Sequence, residues 1–478
     1  MSRTDRRVSE WLFFVTFAAY SYFHAGGGWN QNAFFDLTRA IVERHTFAID
    51  AYAPNTGDTS FGNGHVYANK TPALAWIAAP LYWSLHAIEV RRGIDVSDIH
   101  VVTINAYICT LFAVALPTAL VPALLYLLAR RRRFDATWSA IVALAVALAT
   151  QLFPFATIFM IHAPSALLLF VALTSERRSL AGMAAGLATA MNYLCAIGLL
   201  FVFVRRKDWK FAAGTLLPLA ALAAYQLVCF GGIFTPSVAK TSTRFLQSGA
   251  AMGLLTLPTP ASVWGVTFSS YRGVFFFAPL LLVAFFGFAA WWRDKPFECA
   301  AALLAIVALF AFNVSFNGWE AGFSIGGRYL VPLIPLFGIA ILYARRVTLT
   351  IFLAAISFAL NFTAAAVDVQ PSGTIPRPVT QYLLPLLIHG HFSPEVPITP
   401  PWSAATFTGH TSVNRLTYDE PVVFSRHPPG SVASEWTSFN LGEPLTGAGD
   451  PRSLIPITLL LVAGVVAIGR LSRQVPRS

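Results

Sequence analysis

Continuous apolar runs of about 20 residues recur from end to end of this chain, each long enough to cross a hydrocarbon core roughly 30 Å thick. A backbone placed in lipid has to satisfy its own N–H and C=O groups, which leaves helices or closed barrels. The runs are unbroken rather than alternating, so the ten-residue dyad strands of a membrane barrel are excluded. Composition agrees: of 478 residues, 56% are hydrophobic and 12% charged, where soluble domains carry about 25% charged residues. A soluble enzyme, a disordered chain and a disulfide-stapled secreted domain are ruled out. The expected fold is an all-α polytopic membrane protein.

The net charge of +11 is a topology signal rather than a nucleic-acid footprint. Twenty of the 33 Lys and Arg residues fall in tight clusters: residues 3–7, 130–133, 177–178, 205–210, 293–295, 345–346 and 470–477. The positive-inside rule makes these cytoplasmic. Span one then runs from about Trp11 to His24 and delivers residues 26–70 to the outer side. The run Thr71–Val90, with Pro72, Trp76, Pro80, Trp83 and His86, is read as re-entrant or interfacial, because a full crossing inverts every later cluster. Further spans are expected near 101–129, 137–154, 161–174, a tight pair within 180–204 meeting near Asn192, 211–230, 274–292, 299–315, 329–344, 347–366 and 455–470. That makes about twelve transmembrane helices with both termini inside. The chain divides into a transmembrane core (1–366) containing the first outer loop, an outer loop or small cap (367–454) rich in Pro, Thr and Ser, and a last span with a basic tail (455–478). Cys109, Cys195, Cys229 and Cys299 all lie in or beside apolar runs and offer neither a disulfide framework nor zinc spacing.

The first outer loop is the segment richest in chemistry. Gly26-Gly27-Gly28-Trp29-Asn30-Gln31-Asn32 breaks span one. Phe34–Arg44 then shows the 3.6-residue alternation of an amphipathic helix lying at the membrane surface. Asp36 shares a face of that helix with Arg39 and Ala40. A carboxylate there, partly desolvated, suits a general base, although the spacing fits a plain Asp36–Arg39 ion pair equally well. Asp50 and Asp58 are further carboxylates on the loop. Lys70, two residues before Pro72, suits a phosphate as a point charge. Arg272 and Arg328 stand at the mouths of two later spans, beside glycines and beside Tyr271 and Tyr329. Singly, each arginine reads as interfacial snorkelling; with Lys70 on the same face, they read as a surface for the phosphate of an anionic lipid. Asn32 and His162 complete the candidate pocket, and no cluster of metal ligands is apparent.

The layout resembles the GT-C superfamily of integral membrane glycosyltransferases, and more narrowly bacterial relatives of the protein O-mannosyltransferases and the lipid A aminoarabinose transferases. The resemblance rests on the order span, long outer loop, Tyr67-Ala68-Asn69-Lys70-Thr71-Pro72, many-span bundle. Trp29–Asn32, Phe35–Ile41, Ser270–Gly273 and Gly327–Leu330 look like segments of a bacterial branch of that superfamily. It implies a GT-C-like bundle, a bacterial inner-membrane location with a periplasmic site, and inverting transfer of a sugar from a polyprenyl-phosphate donor to a lipid, glycan or protein acceptor. Asp36 is then the expected base, with Asp58 and Asp50 in reserve, and Lys70, Arg272 and Arg328 the phosphate-binding cations. Some members of the superfamily use a divalent cation. The chain departs from the pattern at Gln31-Asn32, where better-studied members carry an acidic pair, and at Phe34, Asn69 and Asn192, where related sequences favour charged residues.

Two other classes fit a many-span chain: a transporter or lipid-binding membrane protein, and an inactive GT-C-like scaffold. A transporter places ionisable residues at mid-membrane and shows repeated halves. Here the spans hold almost no charge and the ionisable residues collect at one face, which favours surface chemistry on a lipid-linked substrate.

Overall fold

The computed structural model describes residues 2–196, 208–371, 373, 375–389, 438–447 and 449–475. Helix α1, Arg3–Tyr22, starts with a capping box: the Ser2 hydroxyl accepts from the Asp5 N–H at 3.0 Å, and the Asp5 carboxylate accepts from the Ser2 N–H at 3.0 Å. This closes two of the donors a helix start leaves open. The same carboxylate accepts from Arg130 Nε at 2.9 Å and from the Tyr126 hydroxyl at 3.0 Å. Arg132 reaches Glu298 at 2.5 Å, Tyr343 donates to Asp294, and the Ser472 hydroxyl contacts that of Thr137 at 3.4 Å. The basic clusters at 3–7, 130–133, 293–295, 345–346 and 470–473 are therefore held at one end of the bundle.

At the opposite end α1 passes into β1, Phe23–His24, which pairs antiparallel with the strand Phe439–Asn440. The first loop follows with helix α2, Trp29–Glu43, then the hairpin of β2, Thr59–Gly62, and β3, His65–Ala68, and then helix α3, Ala73–Arg91. Helix α2 does not lie on the surface. Every residue from Gln31 to Ala40 is buried, because the 50–58 segment and Tyr82 of α3 cover the polar face that a free amphipathic helix turns to water.

Thr71–Val90 does not dip and return: α3 is one unbroken helix, despite Pro80. Both its ends lie at the first-loop end of the bundle. The helical stretch Ile99–Arg131 that follows starts there, since the Tyr107 hydroxyl donates to Ser21 O at 2.8 Å and its ring packs on His24.

Among the described residues five helices are long and apolar enough to cross a membrane: Ile99–Arg131, Trp209–Phe230, Pro296–Ser315, Val347–Val367 and Pro451–Arg473. Of the other expected spans, the first is the unbroken 20-residue α1, and several more are shorter or broken. The 137–154 run stops as a helix at Leu148, and the 274–292 run is split into Val274–Phe277, a 3-10 stretch Pro279–Phe286, and Phe288–Asp294. Pro279 cannot continue a helical ladder, and the neighbouring helix satisfies the freed groups: Ser357 Oγ accepts from the Leu280 N–H at 3.0 Å, and Asn361 donates to Phe277 O at 2.7 Å. The helix Arg178–Met191 ends at Asn192. The rest of the expected 180–204 pair lies outside the described residues from 197 onward, as does the 390–437 part of the expected cap.

Glycine permits close helix contacts. A Cβ on Gly182 would stand 2.0 Å from Phe211 O, and one on Gly214 would stand 2.3 Å from Ser179 O. The helices Arg178–Met191 and Trp209–Phe230 thus approach backbone to backbone, the small-residue packing that membrane helices use where no hydrophobic drive exists between them. All four cysteines are buried and free.

Candidate functional site

The hairpin β2–β3 positions the first group of side chains. Its register sets Thr59 opposite Ala68, which places Asp58 and Lys70 just beyond the paired residues. Lys70 Nζ lies 2.8 Å from Asp58 Oδ2, with both side chains mostly buried. Around this pair the backbone is fixed: the Asn69 N–H donates to Asp58 O at 3.0 Å, and the Thr71 hydroxyl donates to Met191 O at 2.5 Å. The Ser237 hydroxyl donates to Lys70 O at 3.0 Å.

A second cation approaches from the Gly326–Leu330 segment. Gly326 has φ +54° and no room for a side chain, since a Cβ would meet Gln151 Nε2 at 2.8 Å. That left-handed residue, which only glycine adopts freely, turns the chain so that Arg328 opens the next helical segment. Burial pulls the Lys70 ammonium below its ordinary value, Asp58 opposes that, and the nearby Arg328 cation lowers it further. Arg328 and Lys70 are also the charged neighbours of His162, whose ring meets Tyr329 edge-on at 5.8 Å. Arg328 Nε and His162 Nδ1 are buried with no hydrogen-bond partner among the described residues.

The third group sits on α2. Asn32 Nδ2 donates to Asn55 O at 2.8 Å, and Asn55 Nδ2 donates to Asp36 Oδ1 at 3.3 Å. Asn55 stands three residues before Asp58, so Asp36 is tied through one short segment to the Lys70 pair. Arg39 does not pair with Asp36. It bonds Glu43 at 2.7 Å and stacks on the Tyr52 ring at 4.6 Å. Glu43 also accepts from the hydroxyls of Tyr52 at 2.8 Å and Tyr82 at 2.6 Å. The i,i+4 spacing of Arg39 to Glu43, the favourable helix separation, was the signal available in the sequence.

Asp50 stands apart. It accepts from the Val66 N–H at 2.7 Å and pairs with His65 at 2.7 Å, on an exposed edge of the hairpin. Burial alone would raise its pKa, but these two partners hold it below the usual carboxylate range. Arg272 is fully buried; its Nε donates to Glu320 O at 3.0 Å, Nη1 to Tyr271 O at 3.1 Å and Nη2 to Gly322 O at 2.8 Å. The Tyr271 hydroxyl donates to Gly373 O. Arg272 therefore clamps the 317–328 loop that carries Arg328, and the Tyr271 ring packs against Trp319 of that loop at 6.2 Å. Among the described residues, no three His, Cys, Asp or Glu side chains are gathered for a metal ion.

The geometry is that of a multi-pass helical membrane protein whose buried cations, carboxylates and amides collect at the end opposite its basic clusters. No protein-family model and no curated protein matches the sequence. Among solved structures the chain is similar to ArnT from Cupriavidus metallidurans in the apo state, at 15% identity, covering 96% of this chain and 75% of that one, with a TM-score of 0.41. It is also similar to the Archaeoglobus fulgidus oligosaccharyltransferase in the apo form, at 13% identity, covering 83% of this chain and 58% of that one, with a TM-score of 0.46.

Proposed function

We propose that this protein is a membrane glycosyltransferase that moves a sugar from a polyprenyl-phosphate donor to an acceptor at the first-loop end of the bundle. In this reading it lies in a bacterial inner membrane with about twelve crossings, and its site faces the periplasm. The observation that carries the proposal is the pairing of Lys70 with Arg328. The Lys70 ammonium, lowered first by burial and further by the Arg328 cation, has Asp58 as its carboxylate partner among the described residues, so an anion held there relieves repulsion. Such a group gains more from being held there than in water, because the surroundings are of low dielectric.

The acceptor hydroxyl gives its proton to the Asp36 carboxylate, and its oxygen attacks C1 of the sugar from the face opposite the phosphate. The C1–O bond breaks, its electron pair stays with the phosphate oxygen, and C1 inverts. Lys70 and Arg328 stabilise the charge that develops on that phosphate. Asp36 is assigned as the base because it is buried on α2 and held beside Asn55, in the segment that also carries Asp58, whereas Asp50 sits on an exposed edge of the hairpin. Arg272 and Tyr271 act by fixing the loop of Arg328, and Asn32 and Tyr329 by positioning their neighbours Asn55 and His162.

The test uses the full-length protein with a polyprenyl-phosphate sugar. Lys70→Met is expected to weaken donor binding and lower kcat/KM by about 10²-fold or more, as loss of one charge-stabilising donor does. Asp36→Asn is expected to lower kcat by about 10²–10⁴-fold with donor binding kept. Full transfer in both variants overturns the mechanism. Donor binding without transfer in the parent marks a lipid-binding protein or an inactive scaffold instead.

A further inference from the structure

From residue 245 to residue 271 the chain carries no Asp, Glu, Lys, Arg or His, whereas soluble domains carry about 25% charged residues. Within this stretch the short helix Pro260–Thr267 begins with a capping box. The Thr259 hydroxyl accepts from the Ser262 N–H and the Ser262 hydroxyl from the Thr259 N–H, each at 3.0 Å. Helical spacing gathers Ser262, Gly265 and Val266 on one face, and these are buried. Val263, Trp264 and Phe268, the last just past the helix end, fall on the other face and are exposed, Trp264 by 62%. The outward face is therefore apolar, the reverse of a helix whose outer side meets water.

Both ends of this helix are held where membrane-crossing segments stop. At its start, Ser262 Oγ donates to Val314 O at 2.8 Å and the Thr256 N–H to Ser315 O at 2.7 Å, in the last turn of the helix Pro296–Ser315. Leu257, 86% exposed, stands at the same level. At its end, the Phe268 ring meets Phe275 at 5.4 Å, in the first turn of the broken run 274–292. The helix thus lies along the membrane plane rather than through it. The rings of Trp264, Phe268, Phe275 and Phe285 follow one another at 5.7, 5.4 and 5.7 Å. Phe285 is exposed on the 3-10 stretch of that run, so the outward face continues into the side of a membrane-crossing segment.

We infer that the outward face of Pro260–Thr267, with Leu257 and Phe268, is seated among the lipid chains at the first-loop end of the bilayer. Continuity with Phe285 makes lipid its occupant, and a tryptophan at that level suits the membrane boundary. The interfacial role that the sequence pattern gives to α2, which folding buries, falls to this uncharged helix instead. Its inner face backs the loop that carries Arg328, since a Cβ on Gly265 would stand 2.2 Å from the Trp319 ring. The Arg328 loop is thereby tied to the membrane boundary. The seat is read from exposure and level alone, so it stands whether or not transfer occurs at Lys70.

The four native cysteines are buried, so a cysteine introduced at the surface takes a nitroxide label selectively in the full-length protein in phosphatidylcholine nanodiscs. Leu257→Cys, Trp264→Cys and Phe268→Cys are compared with Val307→Cys, on the exposed apolar side of Pro296–Ser315, and with His65→Cys, on the exposed hairpin edge. Power-saturation EPR measures access to oxygen, which concentrates in lipid, and to a nickel chelate, which stays in water. Labels at 257, 264 and 268 are expected to match the one at 307, with an oxygen-to-nickel access ratio at least about threefold above that at 65. Nickel access equal to that at 65 overturns the inference. So does shielding from both reagents, which means that a second copy or another protein covers the face. The three positions are independent, so a variant that fails to fold leaves the others to decide.

Discussion

Glu43 is the residue whose removal has the most predictable consequence. Its carboxylate is the meeting point of Arg39 Nε at 2.7 Å and the Tyr52 and Tyr82 hydroxyls at 2.8 and 2.6 Å. The Arg39 and Glu43 side chains are 5% and 10% exposed. In Glu43→Gln the amide oxygen still accepts one bond, but the guanidinium becomes a buried cation without a counter-charge. Breaking a buried pair by removing one partner costs about 3–5 kcal/mol, mostly the penalty of the charge left behind. The expected result is that thermal unfolding of the variant at pH 7 is shifted down by that amount, and that Glu43→Gln with Arg39→Met together recovers much of it. The pH dependence has a definite sign. Burial raises the pKa of Glu43, but Arg39 and the two tyrosines outweigh it, so the folded value lies below the ordinary 4.5. The stabilisation is complete above that ordinary value and lost as pH falls through the lowered one. The gap between parent and variant is therefore flat from pH 5 to 8 and closes below about pH 4. An unchanged melt at pH 7, or a gap that widens in acid, refutes the reasoning.

Two further predictions follow from the same geometry. Asp58→Asn removes the charge that opposes burial and Arg328 at Lys70, so the alkaline limb of a pH–rate profile moves to lower pH as Lys70 loses its proton more readily; a limb that stays in place or moves up counts against the pairing. Gly182→Leu drives a side chain into Phe211 O, 2.0 Å from the Cβ position, and is expected to cost about 3 kcal/mol by overpacking, whereas Leu at Gly469, which faces open space, leaves the melt unchanged.

The sorting of charge to the two ends was legible in the sequence, because lipid leaves so few places for an arginine and the clusters announce them. Lys70, Asp58 and Arg328 stand out in the sequence beside chain breaks, and the fold brings Lys70 to Asp58 and near Arg328. The burial of α2 was not legible: its polar face has the pattern of a surface helix, and its cover comes from residues 50–58 and from Tyr82, which only folding brings over it. Asp50 and Asp58 look alike on paper, and the hairpin register decides that one meets His65 and the other Lys70. The broken run at 274–292 reads as a plain span because the groups that mend it, Ser357 and Asn361, lie some eighty residues on. His24 reads as the last residue of a span, and nothing local marks its burial.

The helical stretch Ile99–Arg131 has 33 residues, and at 1.5 Å per residue it measures about 50 Å. Even inclined by about 20°, it overtops a bilayer of about 40–45 Å with its headgroups. Arg130 and Arg132 pin its foot, so the surplus rises at the Ile99 end, like a mast stepped through a deck. That overhang stands beside β1 and Tyr107, so this corner of the first-loop end is edged by protein rather than by a flat lipid shore.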